Sequence, residues 1–125
     1  MMWLWIALGG ALGASLRHGL TLAIPSSGAS GMPWATLLAN VLGCSLVGIC
    51  FALLQRDAMS EPLRGFLMVG LLGSLTTFSA YSQQLFELIE GDRWGLALPY
   101  GAGSVLVCLT VFCLSIWGVR ALLAH

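Results

Sequence analysis

Four apolar runs, residues 3–24, 34–54, 65–89 and 94–119, take up most of this chain, and each is about as long as a bilayer is thick. A helix needs about 20 apolar residues to cross the hydrocarbon core. Charged residues make up only 8 % of the chain and hydrophobic ones 58 %, where a soluble domain is about 25 % charged. The pattern predicts an all-α membrane protein, one domain over residues 1–125 with four transmembrane helices. The links are a Ser- and Gly-rich loop over 25–33, a polar link over 55–62, a turn over 90–93 and a tail over 120–125. None has room for a separate catalytic domain. The first run lacks a basic leader and is too long for a signal peptide, so it reads as a membrane helix.

The basic residues are all Arg and the net charge is zero, which gives nucleic acid no purchase. Cys44, Cys50, Cys108 and Cys113 lie within apolar runs and form no Cys-x-x-Cys pair; they read as small apolar residues. His18 and His125 are far apart and have no metal-ligand spacing around them. Without a nucleophile–His–acid set the chain does not read as an enzyme. One side of the membrane would hold Arg56, Arg64 and Arg120, the other Arg93 and Arg17. So small a bias fits either a cytoplasmic N-terminus or insertion in both orientations.

The third run contains the densest signal. Over residues 70–82, Gly70, Gly73, Ser74, Thr76, Thr77, Ser79 and Ser82 crowd a segment that lipid-facing sequence would fill with Leu, Ile and Val. One reading is a helix broken near Gly73–Thr76, freeing carbonyls and amides for a solute. The other is a close-packed helix interface. Gly9, Gly13 and Arg17 share a face of the first helix, with Gly9 and Gly13 in small-xxx-small spacing. Arg17 either snorkels to the interface or anchors broken backbone or a vestibule. Asn40, the only Asn, either ties two helices or presents its NH₂ to an anion. Asn40, Thr77, Tyr81, Gln84, Tyr100 and Ser104 fall at spacings that allow one polar track without an ionisable side chain. Cations and proton coupling usually require intramembrane carboxylates. Neutral donors and the electropositive edges of Phe78 and Tyr81 suit a small, hard anion.

These residues resemble the Fluc (CrcB) fluoride channel family. The run from Gly9 through Arg17 is similar to its GGxxGAxxR opening. The run from Ala35 through Gly43 is similar to its segment around the pore Asn. The run from Gly70 through Tyr81 is similar to its GxxGxxTTFSTF signature. The resemblance implies an antiparallel, dual-topology homodimer in the bacterial cytoplasmic (inner) membrane. It would let fluoride out passively, after HF enters and dissociates inside, and so confer fluoride resistance. By position it implies fluoride-pathway roles for Asn40, Thr77, Phe78, Tyr81, Tyr100 and Ser104. It also implies a structural Na⁺ on the dimer axis, held by backbone carbonyls of Gly73 and Thr76, and a structural or vestibule place for Arg17 and Gln84. Tyr81 stands where the family has a second Phe, Gln84 where many members have Glu, and His18 where an aromatic is usual. The alternatives are a small multidrug-type four-helix exporter, which needs a Glu that residues 3–24 lack, and a non-transporting membrane assembly subunit.

Overall fold

The computed structural model describes residues 1–24 and 31–124. Its described part is helical: α1 Met2–Ala23, α2 Trp34–Leu54, α3 Glu61–Arg64, a π-helix over Gly65–Leu72, α4 Gly73–Leu75, α5 Phe78–Glu90 and α6 Trp94–Leu122. The loop read over 25–33 falls mainly on residues 25–30, which lie outside the described residues, as does His125. Trp34–Leu54, Glu61–Glu90 and Trp94–Leu122 are long and apolar enough to cross a membrane. α1 matches α2 in length, but Arg17 and His18 interrupt its apolar character.

The third span starts earlier than its apolar run. Ser60 is extended and Glu61-Pro62 opens the helix. Proline is tolerated in a first turn because its missing N–H would have no intrahelical partner there. Arg64 Nη1 closes the turn on Glu61 at 3.3 Å. Over Gly65–Leu72 the coil widens, so that the Gly73 N–H reaches the Met68 carbonyl. Such π turns gather at functional sites.

α1 runs beside this segment in the same direction. A Cβ on Gly9 would meet the Phe66 carbonyl, one on Gly13 would meet the Leu71 carbonyl, and one on Gly70 would lie 2.5 Å from the Ile6 oxygen. Backbone therefore touches backbone, the close approach that the Gly9–Gly13 spacing predicts. Ser74 Oγ adds a hydrogen bond to the Gly10 carbonyl at 2.9 Å.

α2 and α6 also run side by side in the same direction. A Cβ on Gly48 would lie 2.6 Å from the Phe112 carbonyl oxygen. At their shared end Arg56 Nη1 donates to the Leu123 carbonyl at 2.9 Å, and Arg120 Nη2 donates to Gln55 Oε1 at 2.6 Å. One buried cluster joins Ala39, Cys50, Leu72 and Leu75; a second joins Tyr81, Leu88, Ala97 and Tyr100. Leu106 and Trp117 face outward and exposed, as lipid-facing side chains do.

The third span is broken at the C-terminal end of the Gly73–Thr76 stretch. Gly73 sits in ordinary right-handed helix at φ −65°, ψ −29°. The chain opens at Thr76 (φ −77°, ψ 150°) and Thr77 (φ −152°, ψ 121°). β-Branched residues accept extended backbone readily, and their hydroxyls cover the helix ends exposed by the break.

Candidate functional site

The break is held by substitution of one hydrogen bond for another. In a continuous helix the Thr77 N–H would bond the Gly73 carbonyl. Here it donates to Asn40 Oδ1 at 2.8 Å, while Asn40 Nδ2 donates to the Thr77 carbonyl at 3.2 Å. The Ala80 N–H, which would have gone to the Thr76 carbonyl, donates to Thr77 Oγ1 at 3.2 Å and caps α5. Thr76 Oγ1 turns back to the Leu72 carbonyl at 2.9 Å. The carbonyls of Gly73 and Thr76 thereby lose their helical partners.

Beside the break lies a cavity of about 290 Å³. Its wall includes Asn40, Thr76, Thr77, Phe78, Tyr81 and Ser104, and among the described residues no wall residue is ionisable apart from Tyr81 and the cysteines Cys44 and Cys108. The N-terminus of α5 opens at its edge, with the partial positive charge of a helix start. The Ser104 hydroxyl is buried and has no partner among the described residues. The Phe78 and Tyr81 rings lie 5.3 Å apart at 36°, and Tyr81 and Tyr100 5.4 Å apart at 42°. These rings form one aromatic column.

The polar track divides. Asn40, Thr77, Phe78, Tyr81 and Ser104 meet at the cavity. Tyr100 is fully buried behind it and donates to Gln84 Oε1 at 2.9 Å. The Tyr81 hydroxyl donates to the Gly101 carbonyl at 2.9 Å, so Tyr81 brings its ring to the wall while its oxygen ties α5 to α6. Arg17 is not on the wall. It lies one turn beyond Gly13 on the face packed against the third span, level with the break, and its Nε is buried without a partner among the described residues.

The profile of the family described as CrcB-like protein, Camphor Resistance (CrcB), matches residues 4–117. The chain belongs to the CrcB-like family. Among curated proteins it is similar to "Fluoride-specific ion channel FluC" of Thermus thermophilus, 44 % identical over 107 residues and covering 86 % of each chain. The protein of that name from Salinibacter ruber is 45 % identical over 115 residues, covering 88 % of this chain and 86 % of its own. That from Deinococcus radiodurans is 44 % identical over 110 residues, with 87 % of each covered.

Four wall residues of this CrcB-like chain are not among the candidates that the sequence offers, Cys44, Val105, Cys108 and Leu109. The two cysteines read as apolar filler. Each sits one helical turn beyond a track residue, Asn40 and Ser104, and that spacing was the available signal.

Proposed function

We propose that this chain forms a passive fluoride-selective channel that lets cytoplasmic fluoride leave the cell and so limits its toxicity. The observation that carries this reading is the cavity at the helix break, whose described wall presents neutral donors and aromatic rings without a carboxylate or a basic side chain. The name shared by its relatives, fluoride-specific ion channel, supports fluoride as the anion. The family's activity is ion conduction, not catalysis. A small anion loses its hydration on entering such a cavity. The second N–H of Asn40, the Ser104 and Thr77 hydroxyls, the first-turn amides of α5 and the edges of Phe78 and Tyr81 are groups that can replace it. Tyr100 and Gln84 support the pathway from behind by fixing the aromatic column, and Arg17 on α1 keeps a structural or vestibule place beside it.

The working unit in this proposal is an antiparallel dual-topology homodimer of four-span, single-domain chains in a bacterial inner membrane. An apolar groove of about 540 Å³, lined by Leu12, Leu16, Leu20, Leu42 and Leu75, supports a second copy as its cover. Gly73 is exposed nearby. Two such breaks meeting on the dimer axis would bring together the released Gly73 and Thr76 carbonyls. Hard oxygen donors of that kind fit Na⁺, whose charge would satisfy backbone that hydrocarbon otherwise penalises by several kcal/mol per group.

Fluoride efflux from proteoliposomes containing only this protein, read with a fluoride electrode, tests the reading. Rapid fluoride loss with chloride retained is expected. No fluoride loss above that of protein-free liposomes would overturn it.

A further inference from the structure

The cavity wall carries two groups for which the fluoride pathway has no use. Cys44 of α2 and Cys108 of α6 are free thiols that both line it. Helix register brings them together. Gly48 meets α6 at Phe112, and one turn back along these two parallel-running helices pairs Cys44 with Cys108. The next turn back pairs Asn40 with Ser104. The two thiols are neighbours, and the bare backbone of Gly48 lets the helices approach closely enough to keep them so.

We propose that Cys44 and Cys108 form a two-sulfur site for a soft, two-coordinate metal cation, and that its occupation blocks the cavity. Thiolates select soft metals. With Hg(II), two S–H bonds are replaced by two S–Hg bonds, two protons leave to solvent, and no electron changes hands. The product is neutral. Neutrality matters because the adjoining wall is Val105 and Leu109, where an unpaired charge is heavily penalised. A hard cation is poorly served, since the wall holds neither carboxylate nor imidazole among the described residues. Cys50 lies in the cluster with Ala39, Leu72 and Leu75, and Cys113 is exposed elsewhere on α6; neither lines the cavity, so both serve as internal controls.

Metal binding is independent of the channel reading, whereas the block rests on it, and the experiment separates them. Purified protein is treated with HgCl₂, dialysed against a monothiol, and weighed by native mass spectrometry. The wild type and the Cys50→Ala/Cys113→Ala variant should each retain one mercury per chain with loss of two protons. Cys44→Ala and Cys108→Ala should retain none, because a single sulfur lacks the second, effectively concentrated ligand. Retention by either single variant equal to wild type would overturn the site. In proteoliposomes, HgCl₂ should inhibit fluoride efflux, with sensitivity at least about tenfold lower in each single variant relative to its own untreated rate. Unchanged sensitivity in both would overturn the block. Mercury held by the pair, with no fluoride efflux from any protein, would overturn the channel reading and leave the metal site standing.

Discussion

Replacing Asn40 by Asp changes one nitrogen to oxygen and adds a charge beside the break. The acceptor to the Thr77 N–H is retained, but the Nδ2 bond to the Thr77 carbonyl at 3.2 Å becomes a contact between oxygens. Losing one neutral hydrogen bond amounts to about 0.5–1.5 kcal/mol. The charge matters more. A carboxylate about 4 Å from a fluoride ion, at an effective dielectric of about 20, repels it by about 4 kcal/mol. Added to the barrier, that lowers the rate roughly a thousandfold. Asn40→Ala separates the two effects: it adds no charge but leaves the Thr77 N–H and carbonyl unpaired, at about 1–3 kcal/mol for each. The Asp variant should therefore remain folded by size-exclusion chromatography and lose fluoride efflux, while the Ala variant should lose thermal stability first. Near wild-type efflux from Asn40→Asp at neutral pH would remove Asn40 from the ion's path.

Phe78→Ile and Tyr81→Ile should each cut efflux far more than Tyr81→Phe, which keeps the ring and loses only the bond to Gly101; normal conduction by both Ile variants would make the rings mere packing. Gly13→Val should abolish folding, because a Cβ there meets the Leu71 carbonyl, whereas Gly10→Ala, with nothing within 4 Å of its Cβ, should be tolerated in detergent stability assays. Gly73→Val should leave each chain's helix intact, since its backbone is right-handed and the nearest atom to a Cβ is the Met68 oxygen at 3.4 Å. It should nonetheless weaken the dimer on analytical ultracentrifugation, as should exchange of Na⁺ for a bulky organic cation in wild type; indifference to both would count against the shared ion site. Ala58→Cys should react with an impermeant maleimide from both sides of the membrane, and reaction from one side alone would exclude dual topology.

Much of this arrangement was legible along the chain. The span over 34–54 coincides with α2, and the Gly9–Gly13 face packs as its spacing requires. Ser60-Glu61-Pro62 carried a readable helix start that the apolar run obscured. The widened turns over Gly65–Leu72 had no such mark, because side-chain pattern alone does not separate neighbouring helical periods over so short a length. The break falls at the Thr76 end of the Gly73–Thr76 stretch, where Asn40 and Thr77 provide the replacement hydrogen bonds, while Gly70 provides clearance for α1. That Asn40 needs a partner followed from its burial in an apolar run. Which peptide it would hold, 37 residues onward, is a tertiary fact beyond the reach of local spacing.

The pairing of one side-chain amide with both polar groups of Thr77 imitates a single rung of β-ladder at membrane depth. That rung is borrowed from another helix, so the third span cannot open by itself in lipid. Before α2 docks, its backbone is best satisfied as unbroken helix, and the discontinuity is a product of assembly rather than of insertion. A peptide covering Glu61–Glu90 alone should accordingly be continuous helix in bicelles, with amide exchange at Thr77 and Ala80 as slow as at their neighbours. The pathway's defining bend would then arise only in a chain that has finished folding, which keeps half-built subunits from offering open backbone to the bilayer.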